Sequence, residues 1–191
     1  MACAFDPEPV HAELWSRLQH AAGDPRHPWH WPALATTATD GMPSVRTVVL
    51  RQVDPAVRVI SFHTDLRSPK VSMIRLNRRV AFCFNDGFDQ VQLRVFGEAE
   101  VRTAGTDVDH AWRSLPPTTR AAYAQLEAPG TTIDRWKPRP SASDDAGRQN
   151  FAVVRCVIRE IDWLKLDPAG HYRIRFTYGG DGSLGWAWLA P

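Results

Sequence analysis

Polar and apolar residues alternate along much of this chain, a pattern typical of β-strands with one buried face. The clearest example is 91–102, in which Val91 and Leu93 begin an apolar face and polar residues fill the opposite one. Gly97, in the middle of this stretch, predicts a bend or a bulge. The almost wholly apolar segment 80–85 predicts a strand buried on both faces. Strands are predicted at 32–39, 46–53, 57–63, 80–85, 91–102, 151–160, 161–166, 172–178 and 186–189.

Helices are predicted where a capping residue precedes apolar positions spaced three or four apart. Asp6 and Pro7 predict the start of a first helix that ends near Ala22. Ser68 is a preferred N-cap residue and predicts a second helix that ends near Asn77. Two further helices are predicted at 106–114 and 117–127.

The short turns between successive strands favour antiparallel pairing, and a closed barrel leaves no exposed sheet edge. We therefore predict a mainly β fold with peripheral helices, built around an antiparallel β-barrel. The 191 residues have the length of one ordinary domain, and the sequence has no internal repeat. We expect 1–191 to form a single domain.

Residues 128–150 form the one segment without a periodic pattern, and they are rich in proline, glycine, serine and charged residues. A loop of this length inside a compact domain is usually a lid, a binding loop or a disordered segment. We expect a flexible loop that borders the functional cleft. Trp136 is its only large aromatic residue, and it either closes over a ligand or anchors the loop to the barrel or to a partner subunit.

The composition narrows the classes of function. A formal net charge of +2 disfavours a nucleic-acid-binding barrel, which would carry a strongly basic face. The N-terminus lacks the pattern of a signal peptide, and no apolar run is long enough to span a membrane. Cys3, Cys83 and Cys156 do not suggest a disulfide framework, so we expect a cytoplasmic protein. The paired Cys/His spacings of a zinc site are absent, and no metal is predicted.

Basic residues at the ends of strands and at the start of the second helix predict an anion site. Arg46, Arg51 and Lys70 can all bind a phosphate, and Ser68 would cap a helix whose N-terminus favours negative charge. Each arginine alone is more often a solvated surface residue. Arg46 and Arg51 are five positions apart, so on a regular strand their side chains point to opposite faces and only a bend could bring both to one pocket.

The order of these motifs resembles the pyridoxamine 5'-phosphate oxidase family and its oxidase-related subgroup. The resemblance rests on the run from Arg46 to Arg51, on Phe62-His63-Thr64, and on Ser68 and Lys70, followed by Gln92. It continues in Trp163, in 175–178 and in the closing 189–191. The family has a split β-barrel that binds flavin mononucleotide (FMN) between two subunits. The resemblance therefore implies FMN as cofactor, a homodimer and oxidoreductase chemistry at the flavin.

The resemblance also implies which residues contact FMN. They are Arg46, Thr47, Val48, Val49, Leu50, Arg51, His63, Thr64, Arg67, Ser68, Lys70, Gln92, Trp163 and Arg175. Ordinary structural roles are the alternative for several of them: Thr64 as a strand end, Gln92 as an exposed amide and Trp163 as a core residue. Where the family has an arginine beside the FMN-binding lysine this chain has Pro69, and Arg67 is expected to compensate.

The substrate motifs of the family are matched less well than its cofactor motifs. A gapless comparison places His110, Ser114 and Thr118 where the family holds the substrate phosphate, and 171–173 where an Arg-x-His motif holds the substrate ring. Most of the phosphate clamp is therefore missing. This implies an FMN-dependent oxidoreductase with a different, unknown substrate. The alternative is a flavin carrier or sensor that has no turnover of its own.

Overall fold

A computed structural model describes residues 5–135 and 145–191. The helices are α1 (Pro7–Gly23), α2 (Pro69–Leu76), α3 (Thr106–Ser114) and α4 (Pro117–Arg120), with 3-10 turns at Pro28–His30, Ala121–Ala124 and Arg148–Asn150. The strands are β1 (Ala33–Thr37), β2 (Pro43–Thr47), β3 (Leu50–Asp54), β4 (Val59–Asp65), β5 (Arg79–Asp86), β6 (Val91–Arg102), β7 (Phe151–Lys165), β8 (Tyr172–Tyr178) and β9 (Leu184–Trp188).

The strands form one antiparallel sheet with the order β2-β1-β5-β6-β7-β4-β3. Its two end strands, β2 and β3, follow each other in the chain across Val48 and Val49, so the sheet curls back on itself. The long strand β7 forks: 151–157 pair with β4, whereas 160–165 pair with β8, which in turn pairs with β9. The predicted mainly β, antiparallel split-barrel fold with peripheral helices is confirmed.

Several predicted element boundaries were wrong. The strand predicted at 46–53 is two strands, because the chain leaves β1 after Thr47 and joins β4 from Leu50. The strands predicted at 151–160 and 161–166 are one continuous strand, β7. The strand predicted at 80–85 buries one face only, and Ala81 and Cys83 on its other face are half-buried. The helix predicted at 117–127 ends at Arg120 and continues as a 3-10 turn.

The bulge predicted at Gly97 is confirmed. Phe96 pairs with Glu160 while Gly97 pairs with Ile158, so one residue of β7 is left without a partner. A Cβ atom on Gly97 would overlap the carbonyl oxygen of Val157 and lie 2.8 Å from the Sγ atom of Cys156. Glycine is therefore required by the close approach of the two backbones.

Two apolar clusters fix the helices on the sheet. In the larger cluster, Leu14 and Leu18 of α1 pack with the barrel interior. In the smaller one, Val108 and Trp112 of α3 pack on Phe151 and Val153 at the start of β7. The second cluster holds α3 beside the end of β4, where α2 begins.

The predicted flexible loop at 128–150 is described only at its two ends. Its last residues are fixed, since Arg148 donates to the carboxylate of Asp109 at 2.6 Å and Asn150 donates to the carbonyl of Tyr123 at 2.8 Å. Trp136 lies outside the described residues, so its two alternative roles stay predictions. None of the helices in the described ranges is long and apolar enough to span a membrane.

Candidate functional site

Arg46 is held on the inner side of the β1–β2 hairpin. Its guanidinium donates to the hydroxyl groups of Thr36 at 2.7 Å and Ser44 at 2.5 Å, and to the carbonyl of Leu34 at 3.3 Å. One guanidinium nitrogen also lies 3.9 Å from the sulfur of Met73 on α2. These contacts place the guanidinium group beside α2.

Lys70 lies in the first turn of α2 and points back toward β4. Its ammonium group donates to the hydroxyl of Ser68 at 2.6 Å and to that of Thr64 at 3.2 Å. Ser68 has the extended backbone of an N-cap residue, as predicted, but its side chain makes no capping hydrogen bond. Pro69 has no N–H group and the amide of Val71 donates to the carbonyl of Ser68 at 2.9 Å, so the amide of Lys70 is the first-turn donor of α2 that is left for another acceptor.

Arg46 and Lys70 form a cationic cluster without a counter-ion. Within the described residues neither side chain forms an ion pair with a carboxylate. Burial lowers the pKa of Arg46. Burial and the charge of Arg46 together lower the pKa of Lys70, although Asp65 opposes the shift. Two mutually repelling, partly buried cations are an unfavourable arrangement that an oxyanion between them relieves.

Arg67 is next to this cluster but directs its donors elsewhere. Its guanidinium binds the carboxylate of Asp65 at 2.8 Å and donates to the carbonyls of Gln125 and Leu126 at 2.9 and 3.2 Å. It therefore fastens the turn after β4 to the segment after α4. The expected compensation for Pro69 does not follow from this geometry.

The run from Thr47 to Arg51 passes from β2 to β3. Thr47 is exposed, Val48 and Leu50 are buried, and Val49 lies outside both strand ladders. The pairing register of β3 shifts between Leu50 and Gln52, which makes Arg51 the bulged residue. Arg46 and Arg51 could face one pocket only if the chain bends between them, and the bulge provides such a bend.

His63 is a half-buried, neutral imidazole on the outer face of β4. Burial, reinforced by the charge of Arg51, lowers the pKa of His63 to about 4. Its ring meets Phe151 edge to face at a centroid distance of 5.0 Å. Its Nδ1 atom is buried without a hydrogen-bond partner among the residues that the structure describes. An orphaned buried polar atom of this kind is typical of a site that a ligand completes.

Three predicted residues lie far from the cationic cluster. Gln92 is half-buried on the outer face of β6, and Arg175 on β8 pairs with Glu160 at 3.4 Å. Trp163 is buried on the core side of β7, with its ring 5.3 Å from that of Phe5, so the core alternative accounts for it. Along β7, Thr64 pairs with Ala152, whereas Arg175 pairs with Asp162. Ala152 and Asp162 are ten residues apart, so Thr64 and Arg175 are separated by about 33 Å along the strand.

Sequence reasoning missed Thr36 and Ser44, the two hydroxyl partners of Arg46. The signal for Ser44 was available, because it precedes Arg46 by two residues and so shares its strand face. Thr36 depends on the register of the hairpin, in which it pairs with Ser44. Together the two hydroxyl groups fix the direction of the guanidinium.

The positions that match the substrate motifs do not converge. His110, Ser114 and Thr118 are exposed on α3 and α4. Arg173 donates to both carboxylate oxygens of Asp162, each at 3.0 Å. In the described ranges no group of three or more His, Cys, Asp or Glu side chains is placed to hold a metal ion.

Comparison with known proteins identifies the family. Residues 12–103 match the model of the pyridoxamine 5'-phosphate oxidase FMN-binding domain. A pyridoxine/pyridoxamine 5'-phosphate oxidase of Anaeromyxobacter dehalogenans is 33% identical over 190 residues, which cover 92% of each chain. The enzyme of the same name from Hyphomonas neptunium is 32% identical over 173 residues, covering 81% of this chain and 74% of its own.

Solved structures agree on the fold. An FMN-binding, pyridoxamine 5'-phosphate oxidase-related protein of Nostoc punctiforme has a TM-score of 0.79 at 19% identity, and the match covers 99% of this chain and 100% of that one. PhzG of Burkholderia lata, solved with tetrahydrophenazine-1-carboxylic acid, has a TM-score of 0.73 at 18% identity and covers 96% and 92%. The chain therefore belongs to the pyridoxamine 5'-phosphate oxidase family, carries its FMN-binding domain and has FMN as its cofactor.

Proposed function

We propose that this chain is an FMN-dependent oxidoreductase whose cationic cluster holds the phosphate of FMN. The observation that carries the proposal is that Arg46 and Lys70 lie near each other and neither has a carboxylate partner in the described ranges. A phosphate dianion supplies the missing negative charge and accepts charge-assisted hydrogen bonds from both. The hydroxyl groups of Ser68 and Thr64 and the amide of Lys70 would complete its shell.

The remaining part of FMN would lie along the passage from β2 to β3. Val49 belongs to neither strand ladder, so its peptide group is free to bind the polar edge of the flavin. His63 and Thr64 follow on the neighbouring strand β4, and the buried Nδ1 atom of His63 lacks a partner there. The flavin ring supplies the transfer of hydride or electron pairs, while the chain supplies binding, orientation and exclusion of water.

A homodimer would complete the site. Gln92 and Arg175 are on the outer sheet face, too far along β7 from the cationic cluster to reach the same flavin from one subunit. Apolar side chains lie half-buried on the same outer face: Ala33, Ala35, Ala81, Cys83 and Phe96. An apolar sheet face is normally covered, and a second copy of this face would cover it and bring its Arg175 to the flavin. We propose this assembly for a single-domain, cytoplasmic protein.

The substrate would differ from pyridoxamine phosphate. The clamp positions His110, Ser114 and Thr118 are exposed, and Arg173 is engaged by Asp162. Loss of several charge-assisted contacts would cost several kcal/mol of transition-state binding. Pyridoxine and pyridoxamine phosphates should therefore react poorly at low concentration, and efficient formation of pyridoxal phosphate would contradict this part of the proposal.

The visible spectrum of the purified protein, with mass spectrometry of the cofactor that heat releases, tests the FMN site. The protein should bind FMN more tightly than riboflavin by about tenfold or more, because one or more charge-assisted hydrogen bonds of about 1.5 to 3 kcal/mol are added. Equal affinities would reject the phosphate site.

A second experiment tests the enzymatic role. Bound FMN is reduced anaerobically, and the rate of its reoxidation is compared with that of free FMN. Reoxidation no faster than that of the free cofactor with every acceptor tried would favour the carrier or sensor.

A further inference from the structure

A cavity away from the cationic cluster lies between α1 and the turn that joins β3 to β4. Its volume is about 530 Å³, within the range of small-molecule sites. The described residues that line it include none of the cationic cluster or of the run from Thr47 to Arg51. Its walls are formed mainly by His11, Trp15, Arg58, Tyr178 and Leu184.

Three ring side chains on one wall are joined by hydrogen bonds. The indole nitrogen of Trp15 donates to the hydroxyl of Tyr178 at 2.9 Å, and the same hydroxyl is 2.7 Å from the Nε2 atom of His11. Burial lowers the pKa of His11 and raises the pKa of Tyr178 to about 12, so both side chains are neutral at pH 7. The wall is therefore rigid, aromatic and uncharged.

Arg58 is the only charged side chain among the described residues that line this cavity. Its guanidinium stacks over the ring of Tyr178, with the carbon atom 5.2 Å from the ring centroid. Its Nη1 atom is buried without a hydrogen-bond partner in the described structure. The nearby carboxylate of Asp181 does not bond to this atom; its Oδ1 atom accepts from the amide and the hydroxyl of Ser183 at 3.0 and 2.7 Å.

The backbone of Arg58 is strained in a way that keeps the side chain in place. Its φ angle of +56° is in the left-handed region that residues other than glycine rarely adopt. Hydrogen bonds on both sides hold this conformation, since its amide donates to the carbonyl of Pro55 at 3.2 Å and its carbonyl accepts from Ile158 at 2.8 Å. Such strain is concentrated at ligand sites.

From these observations we propose that the cavity is a second ligand site, separate from the flavin, for a planar aromatic molecule that carries one carboxylate. The flat guanidinium fork of Arg58 matches a carboxylate, and the aromatic wall matches a ring. A single arginine supplies one positive charge, which suits a monoanion better than a phosphate dianion.

Calorimetric titration of the FMN-saturated full-length protein tests the site. Benzoate is the probe, benzamide is its neutral isostere, and inorganic phosphate is an anion without a ring. We expect benzoate to bind at least tenfold more tightly than either control, without a change in the flavin absorption spectrum. Equal binding of benzoate and benzamide, or no binding of benzoate, would overturn the proposal.

Variants separate this site from the flavin site. Arg58→Gly removes the guanidinium while glycine accepts the left-handed backbone, so the fold should be retained. It should weaken benzoate at least tenfold and leave FMN affinity unchanged. Gln90→Gly is the matched control, because Gln90 is the other non-glycine residue with a positive φ, +53°, in the described chain, and it should bind benzoate normally. Benzoate binding that persists in Arg58→Gly, or that perturbs the flavin spectrum, would assign the probe to another site.

Discussion

Two clusters in the described part of the protein can be compared: each contains a pair of cationic side chains, but the chain supplies a carboxylate counter-ion to one of them only. On the outer sheet face, Arg94 and Arg173 both bind the carboxylate of Asp162, which is 2% exposed. Burial alone would raise the pKa of Asp162, but the hydrogen bonds and charges of Arg173 and Arg94 hold that pKa below its ordinary value. At the start of α2, Arg46 and Lys70 have only uncharged partners among the described residues, namely hydroxyl groups, one carbonyl and the sulfur of Met73.

The difference separates a structural network from a binding site. In the Asp162 cluster the two cations share one buried carboxylate of the chain, so the contribution of this cluster belongs to stability. In the Arg46–Lys70 cluster the chain bears the electrostatic cost of two uncompensated cations and regains it only when an anion binds. Variants at the two clusters should therefore have opposite profiles of cofactor affinity and stability.

The largest effect is expected for Arg46→Met combined with Lys70→Met. Two charge-assisted hydrogen bonds of about 1.5 to 3 kcal/mol each are lost, so FMN affinity should fall by roughly a hundredfold or more. The apo-protein should unfold at the same or a higher urea concentration, because two repelling cations are removed. Fluorescence titration of FMN and urea unfolding measure the two quantities, and Arg75→Met on the exposed side of α2 is the control. Retained affinity with lost stability would make this cluster structural as well.

His63 should make the flavin region sensitive to acid at a higher pH than the Asp162 cluster. Its pKa is about 4 in the folded protein and about 6.5 in an unfolded chain, so the unfolded state binds more protons between these values. Its contribution to the free energy of unfolding is full above pH 6.5 and decreases as the pH falls toward 4, by up to about 3 kcal/mol. Asp162 has a lowered pKa in the folded protein. Its contribution to the free energy of unfolding is therefore lost only as the pH falls further, through that folded pKa.

Urea unfolding of the apo-protein between pH 7 and 4 checks this sequence of events. The His63→Gln variant should show a flatter pH dependence than the wild type above pH 4, and the difference curve isolates His63 from the carboxylates. Parallel curves for the two proteins would show that His63 is protonated in the folded state without cost.

Asp162→Asn should lower stability without abolishing FMN binding. The change keeps the shape of the side chain but leaves Arg94 and Arg173 without their shared counter-ion, so the free energy of unfolding should fall by about 1 to 3 kcal/mol. Adding Arg94→Met should recover part of this loss, since it removes one of the two repelling charges. A fall in FMN affinity as large as that of the Arg46 and Lys70 variant would show that the Asp162 cluster also contributes to FMN binding.

The sequence predicts most of the fold because local patterns decide most elements. The alternation at 91–102 and the position of Gly97 predict β6 and its bulge, and Pro7 and Pro69 mark two helix starts correctly. The break at Val48 and Val49 was not predictable from alternation. It depends on which partner each part of the segment pairs with: residues up to Thr47 pair with β1 and residues from Leu50 pair with β4, which is a tertiary effect.

The candidate site is predictable in its residue types and less so in its contacts. Arg46, Ser68 and Lys70 are recognisable as anion-binding residues from helix and charge rules. The diversion of Arg67 to Asp65 and to carbonyls of 125–126 depends on how the chain returns after α4, which no local pattern specifies. The buried position of Trp163 depends likewise on Phe5 packing against it from a distant part of the chain.

The smallest effect on stability is expected for Arg175→Ala. Arg175 and Glu160 form a pair whose side chains are 43% and 33% exposed, so its loss should change the free energy of unfolding by less than about 1 kcal/mol. If Arg175 of one subunit reaches the flavin of the other, FMN affinity should nevertheless fall by about fivefold, the effect of a part-exposed contact of about 1 kcal/mol.

Mixing two variants tests whether the Arg46–Lys70 cluster of one subunit and Arg175 of the other form one FMN site. Subunits with Arg175→Ala are combined with subunits that carry Arg46→Met and Lys70→Met, after unfolding and joint refolding. In a composite site, each mixed dimer places both defects in one site and leaves the other site intact, so sites of wild-type affinity reappear in the FMN titration. If every contact comes from one subunit, each site keeps a defect and no such sites form. That second result, or a monomer mass by light scattering at FMN saturation, would reject the shared site and leave Arg175 as part of the outer sheet face alone.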